Sequence, residues 1–369
     1  MIGSNGGIQQ GLDDWGVIER LLPLDWEEEA KVKGALVRAR GIGSGEALLR
    51  ILLIHLASGC SLKETSVRAR LMGLGRISSV ALFKRLKSSE EWLRWLSERM
   101  WFGGGGKLAA AETRVRAVDA TVVSEPGSTG TNWRVHYCID LRNLQCDFFE
   151  ITDRKGGETW RRIPVRKGDV LLGDRAYGTP PGVSHVLRKE GEVVVRMNLT
   201  NLPLYSADRE RLDPLGLTSG LRVGQVGEWP AWVQSPEGER WKGRLIAVKR
   251  SLAATQAAQE KIRREACRKG KEPRHRTLSA AQFFFLWTSL PEESWGAERA
   301  LELYRIRWQI ELAFKRMKSI MGLGHLPKKD PSSARAWLHG KIFVSLLVER
   351  LMDEAEVFSP WGYPLGQPS

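Results

Sequence analysis

The stretch that decides the reading is 301-LELYRIRWQIELAFKRMKSI-320. It has no Gly or Pro and is rich in strong helix formers, so it predicts a helix. At about 100° per residue, Tyr304, Arg307, Glu311 and Lys318 fall on one narrow stripe, joined by Lys315. Leu303, Ile306, Ile310, Ala313, Met317 and Ile320 fall opposite. The apolar side predicts core. The polar side has two readings: a solvated helix face, as on most amphipathic helices, or a lone carboxylate among cations, which suits a site for metal and phosphate.

Two aspartates upstream favour the second reading. Asp119 lies in the β-rich run 114-RVRAVDATVV-123, and Asp174 ends the short apolar strand 169-DVLLG-173. Singly, each reads as a strand-end cap or a surface charge. Together with Glu311 they supply three hard oxygen ligands on rigid elements. Phosphodiester chemistry with two Mg²⁺ ions about 4 Å apart needs such a set. Mn²⁺ fits the same ligands.

The composition agrees with an anionic partner. The chain has 369 residues, 42% of them hydrophobic, and a formal net charge of +14. That is room for two or three cored domains and a charge that points to nucleic acid or an anionic surface. No uncharged apolar run is long enough to span a bilayer. The N-terminus MIGSNGGIQQ lacks the basic-then-apolar pattern of a signal peptide. Cys60, Cys138, Cys146 and Cys267 form no metal spacing and read as buried thiols in a reducing cytoplasm. The 15 Trp suit both a core and base stacking.

In chain order, residues before about Leu24 look loosely ordered, and Trp26 to Trp101 is helical in pattern. Ser44 caps a helix to about Ser58. Ser61 with Glu64 makes a capping box for 61-SLKETSVRARLMG-73. After a glycine-containing turn, 78-SSVALFKRLKSSEEWLRWL-96 reads as one helix. That outline fits a helix-turn-helix, with Ser78, Ser79, Lys84, Arg85 and Lys87 as DNA contacts, and equally an ordinary helical bundle. Gly103 to Gly106 reads as a linker. Strands at 131–141 and 144–153 complete an antiparallel meander. A short helix near 157–162, strand 169–173, helix 182–189 and strand 192–197 follow, giving an α/β mixed sheet. Ligands gather at strand C-termini in such sheets. Residues 228–249 alternate as β structure, and 253–271 is a polar helix. Its basic run 261-KIRREACRKGKEPRHR-276 suits either a DNA backbone or solvent. A buried strand at 283–289 precedes the deciding helix, and a last helix covers about 332–352.

The order Tyr-x2-Arg-x3-Glu-x6-Lys at Tyr304, Arg307, Glu311 and Lys318 resembles the YREK signature of bacterial insertion-sequence transposases of the DDE type, in insertion sequence family four. AVDATVV around Asp119 and LLGDRAYG around Asp174 resemble that family's first and second aspartate motifs. The resemblance covers nearly the whole chain. It implies a ribonuclease-H-like catalytic core interrupted by a β-rich insertion and preceded by an all-α DNA-binding domain. The divisions would be 1–102 helical and DNA-binding, 103–111 linker, 112–198 core, 199–282 insertion, 283–355 core with the glutamate helix, and 356–369 tail. It also implies that Asp119, Asp174 and Glu311 hold two Mg²⁺ ions, and that Tyr304, Arg307 and Lys318 contact phosphates near the element end. A stacking residue for a flipped base would be Phe284, where the family has Trp; Trp287 is the nearby substitute. The expected activity is cut-and-paste transposition on double-stranded DNA, with terminal inverted repeats and target as substrates. The protein would act as a homodimer in a synaptic complex, in the cytoplasm, at the nucleoid when on DNA. The rival readings are a nuclease without strand transfer and an inactive DNA-binding relic.

Overall fold

The computed structural model describes residues 15–38, 41–103, 113–128, 130–324 and 326–357. The 103–111 linker beyond its first glycine and the 356–369 tail beyond residue 357 lie outside them. Six helices come first: α1 (Trp15–Leu21), α2 (Trp26–Val32), α3 (Gly45–Leu56), α4 (Leu62–Leu71), α5 (Ser79–Ser88) and α6 (Glu90–Gly103). The strands β1 (Val115–Val123), β2 (Trp133–Asp140) and β3 (Cys146–Asp153) follow. A 3₁₀ turn at Trp160–Arg162 leads to β4 (Val170–Gly173), α7 (Pro180–Leu187) and β5 (Glu192–Arg196). Then come α8 (Pro214–Thr218), β6 (Val226–Gln234), β7 (Arg240–Lys249), α9 (Leu252–Arg268), α10 (His275–Ala280) and β8 (Phe283–Thr288). The chain closes with α11 (Ala297–Ile306), α12 (Trp308–Ser319) and α13 (Pro331–Val357).

Three serines set the early helix starts as expected. Ser44, Ser61 and Ser78 each accept the backbone N–H three residues on, from Ala47, Glu64 and Ala81. Three early readings change. Residues 15–21 are helical, because Trp15 packs edge-on against Trp26 with ring centroids 6.0 Å apart. The run from Ser78 breaks at Ser89, whose hydroxyl donates to the Arg85 carbonyl at 2.7 Å and separates α5 from α6. Cys267 is exposed at the end of the polar α9, whereas Cys60, Cys138 and Cys146 are buried.

All eight strands form one mixed sheet, in the order β3-β2-β1-β4-β5-β8-β7-β6. The β1–β3 meander is antiparallel, as its alternation predicted. β4 lies parallel to β1 and β5 parallel to β4. β8 returns antiparallel to β5 and carries the β6–β7 hairpin on its far side, so the alternating segment at 228–249 extends the sheet. One apolar cluster runs from Leu22 and Trp26 through Leu52, Leu86 and Trp92 to Tyr137, Phe314, Phe343 and Leu347. It joins the early helices to one sheet face through α12 and α13. Val183, Val195, Val233 and Trp287 pack together on the opposite face.

A buried ion cluster ties the N-terminal ends of the strands together. Asp169 accepts from Arg114 at 2.7 and 2.6 Å, from Arg116 at 3.2 Å and from the Arg166 N–H at 2.9 Å. Arg116, 1% exposed, also holds Asp147 at 2.6 and 2.8 Å. Removing one partner strands the others without compensation. Asp169→Ala is therefore expected to lower the unfolding free energy by about 3 kcal/mol, read as an earlier urea midpoint by circular dichroism. An unchanged midpoint would assign the cluster no structural role.

Candidate active site

The site follows from strand register. Val118 of β1 stands beside Gly173 of β4, so the next residues, Asp119 and Asp174, fall side by side. Neighbours in register on adjacent strands, about 4.8 Å apart, point to the same face. Gly173 likewise pairs with Val195 of β5, which brings Arg196 level with Asp174. The face is the one covered by α11 and α12, since Ala117 and Leu172, two residues before the aspartates, pack there. Gly173 is needed at this strand end: a Cβ would sit 2.6 Å from the buried ring of Trp160. Asp174 turns the chain, accepting the Ala176 N–H at 2.8 Å.

The deciding stretch is helical but not one helix. It breaks at Arg307, where the bonds from the Arg307 N–H to the Tyr304 carbonyl and from the Ile310 N–H to the Arg307 carbonyl, both 3.1 Å, tighten the turn. Such a tightened turn advances the side chains further per residue and shifts the apolar phase. Leu303, Ile310 and Met317 are buried as expected, but Ile306 is 43% exposed, and Ile320, beyond the end of α12, is 72% exposed. The polar stripe changes character along its length. Tyr304 is buried at 8%. Arg307 is 11% exposed and Glu311 59% by side chain, and Lys315 and Lys318 lie in solvent.

Arg307 joins the carboxylates. Its guanidinium donates to Asp119 Oδ2 at 3.5 Å and to Glu311 Oε1. Glu311 therefore reaches Asp119 through a cation, and among the described residues no three His, Cys, Asp or Glu side chains stand close enough to share a metal directly. The donors nonetheless fit hard divalent ions. Burial pushes the Asp119 carboxyl up to about 6, and Asp174 and Glu158 add to that, against the Ala120 N–H and Arg307. This excess of negative charge is what a bound dication relieves. Buried polar atoms without partners cluster here too: the Tyr304 and Tyr177 hydroxyls and Arg307 Nε.

Phe284 belongs to this neighbourhood. Its ring lies 5.5 Å from that of Tyr304, with the Arg196 guanidinium 5.3 Å over it. With Arg307 and Trp308 it lines a cavity of about 310 Å³. Trp287 is excluded from that role: it is fully buried on the other face, its indole N–H donating to the Ala231 carbonyl at 3.2 Å. Two residues escaped the sequence reading. Glu158, held by Arg134 at 3.5 Å, sits within electrostatic reach of both aspartates. Arg196 is pushed down to about 10 by burial and by its neighbours Arg175 and Arg250. The rule that chemistry gathers at strand C-termini would have found Arg196, the last residue of β5. In the helical region, Arg85 donates to the Ala35 and Arg38 carbonyls and Lys87 pairs with Asp330 at 3.2 Å. Ser78 caps α5. Those three are engaged within the fold, while Lys84 is exposed and Ser79 half-exposed.

A mixed sheet bearing paired aspartates, with a glutamate on a covering helix, is a framework for a DNA-processing domain of the DDE class, and the comparisons give the family. Residues 110–347 match the Transposase DDE domain. The chain is 32% identical to the putative transposase InsL for insertion sequence element IS186A of Escherichia coli (strain K12), over 94% of this chain and 96% of the relative. It is equally similar to the transposase for insertion sequence element IS421 of Escherichia coli, with the same coverage. The transposase for insertion sequence element IS231F of Bacillus thuringiensis subsp. israelensis is 27% identical over 65% of this chain. The chain belongs to the DDE transposases of bacterial insertion sequences. Among the described residues no helix is long and apolar enough to cross a membrane.

The shift at Asp119 carries a pH dependence. Below about pH 4 the group is protonated both folded and unfolded, and the shift has no effect. Between about 4 and 6 the unfolded chain ionises first, so stability falls as pH rises, by on the order of 1–3 kcal/mol in total. In metal-free buffer, Asp119→Asn is expected to be more stable than wild type at pH 7.5 and indistinguishable at pH 4. Equal urea midpoints at pH 7.5 would contradict the burial and charge described for Asp119.

Proposed function

We propose that this transposase cleaves the ends of its own insertion sequence and joins them to target DNA by two-metal phosphoryl transfer on a ribonuclease-H-like core. The observation that carries the reading is the register that lays Asp119 beside Asp174, with Arg307 linking Asp119 to Glu311. Asp119, Asp174 and Glu311 would hold the ions, Mg²⁺ or Mn²⁺, which supply Lewis acidity and in-line alignment of the phosphodiester when bound. The chain's own groups do the rest. Arg307 exchanges its carboxylate partners for the substrate phosphate, to which a guanidinium offers a matching fork. The Tyr304 hydroxyl, buried and unpartnered, donates to the same phosphate group. Lys318 contacts the backbone further out, where the stripe meets solvent. Arg175, Arg196 and Arg250 add positive charge beside the aspartates. Phe284 would stack against an unpaired base in the cavity it shares with Tyr304 and Trp308.

The helical region, with Lys84 exposed and Ser79 half-exposed, would read the terminal repeats. Two protomers would bridge two ends, at the nucleoid when on DNA. Strand joining separates this reading from a nuclease that only hydrolyses. Purified protein, end-bearing DNA and Mg²⁺ are expected to yield joined product. Glu311→Gln and Asp119→Asn are each expected to lower its rate by at least ~100-fold, with binding of the ends retained. Joined product at the wild-type rate in either variant would refute the site, and hydrolysis without joining in the wild type would favour the nuclease.

A further inference from the structure

Away from the carboxylates, a second cavity of about 780 Å³ opens on the seam between the helical region and the core. Its walls are the α3–α4 junction, the start of α5, the segment around Pro327 and Lys328, and α13. Three lysines line it: Lys63 from the first turn of α4, Lys328 from the loop and Lys341 from α13. No Asp or Glu is among the described residues that line it.

Neutral groups face the two less exposed lysines: the Phe83 ring lies 5.9 Å from Lys328 Nζ and the Trp337 ring 5.0 Å from Lys341 Nζ. Lys341 is 5% exposed and donates to one acceptor, the Leu56 carbonyl at 2.5 Å. Burial pushes both Lys341 and Lys328 below the ordinary lysine range. Two helices add N-terminal charge of the same sign, since Ser61, Leu62 and Lys63 begin α4, Ser79 and Val80 begin α5, and all five line the cavity. Both helices have ten residues.

An independent observation also points to a ligand. His55, 5% exposed, lines the cavity. Its Nδ1 lies 2.6 Å from the Cys60 carbonyl and so carries the proton, while Nε2 is buried with no partner. Burial lowers the ring's pKa, the bond to the Cys60 carbonyl opposes that, and Lys328 and Lys341 lower it further. The charged or titratable groups around it are Cys60, Lys63, Lys328 and Lys341. An anion in the cavity would let Nε2 take a proton from solvent and become a donor.

We propose that this cavity is a phosphate site that takes an internucleotide phosphate of duplex DNA, as a second anchor apart from the catalytic carboxylates. Its volume is several times what an isolated oxyanion needs and accommodates the adjoining sugars. Of its lysines Lys63 is exposed and Lys328 half-exposed, and the half-exposed Ser79 of α5 lines the same cavity. The choice of DNA over a free anion rests on the transposase reading; the anion chemistry does not.

The test uses the full-length protein in EDTA, so that strand chemistry plays no part. Lys63→Gln with Lys328→Gln removes two cations that are exposed or half-exposed, and Lys63→Gln alone is the milder variant. The control is Lys189→Gln with Lys242→Gln, exposed lysines outside the cavity. Binding to element-end duplex is followed by fluorescence anisotropy across a salt series. The cavity variant is expected to bind roughly tenfold more weakly, with a salt slope reduced by ~1 relative to wild type. Inorganic phosphate at constant ionic strength is expected to raise the thermal midpoint of wild type by ~2 °C and that of the cavity variant by none. Loss of the phosphate effect with DNA binding equal to the control would overturn the DNA assignment in favour of a free anion. Equal salt slopes would likewise overturn the DNA assignment, and no phosphate effect in wild type would overturn the site itself. A failure of the catalytic reading shows elsewhere, as strand joining that survives Asp119→Asn, and leaves these binding measurements intact.

Discussion

The parallel pairing of β1 with β4 is the constraint on which the rest of the molecule depends. It brings Asp119 and Asp174 abreast and, through β5, sets Arg196 in the same row. Two carboxylates held side by side repel each other, and burial of Asp119 deepens the cost. The opposing attraction lies at the other end of the same strands, where Arg114 and Arg116 clamp Asp147 and Asp169. Between the two ends the sheet is filled by Val118, Leu171, Leu172 and Val194, all fully buried. The strands cannot slide to relieve the repulsion without exposing that row, because a slip of one residue turns every side chain to the wrong face.

Much of this was legible because strand alternation is a local signal. The meander, β4, β5 and β8 all lie within two residues of where their patterns place them, and Asp119 and Asp174 stand out as charges in apolar runs. The helix around Glu311 was legible as a helix; its break was not. Neither Gly nor Pro marks Arg307, which keeps helical dihedrals. The tightened turn accompanies tertiary contacts: Tyr304 is drawn in against Phe284, and Arg307 reaches back to Asp119 on a distant strand. A helical wheel assumes constant rotation, so it put Tyr304 outside and Ile306 inside, the reverse of their burial. The ion cluster escaped for the same reason, since Arg114 and Asp169 are 55 positions apart and meet only when the sheet forms.

The helical region teaches a related point about basic residues. Lys84, Arg85 and Lys87 look interchangeable in sequence, all on one short helix. Their neighbours divide them. Arg85 is bound to the carbonyls of Ala35 and Arg38, and Lys87 to Asp330 at the start of α13. Those bonds fasten α5 to the segment after α2 and to the core, so that two of the three charges serve the seam between chain segments. Arg335 of α13 likewise reaches Glu90 of α6 at 2.7 Å, and Lys341 the Leu56 carbonyl at the end of α3. The long separation between Asp174 and Glu311 has a similar resolution. The chain between β5 and β8 adds two outer strands to the same sheet and returns beside β5, close to where it left.

Two regions of opposite sign then carry the same kind of strain. Along the row of Asp119, Asp174 and Glu311, Arg307 bridges Asp119 and Glu311 and, among the described residues, leaves the carboxylates in excess. At the seam, Lys328 lies over the Phe83 ring and Lys341 over the Trp337 ring with one carbonyl partner, Leu56, and no carboxylate is among the described residues that line the cavity. Neither arrangement is the most stable one for the protein alone, since uncompensated charge held out of water raises its free energy. On the proposed reading, DNA arriving with divalent ions would supply both missing signs: Asp119 and Asp174 would be neutralised, Arg307 would be freed for phosphate, and the strand's phosphates would neutralise the lysines. The free energy withheld from folding would then be released on binding, at two separated points along one duplex, holding it in orientation as well as in place, as in-line phosphoryl transfer would require.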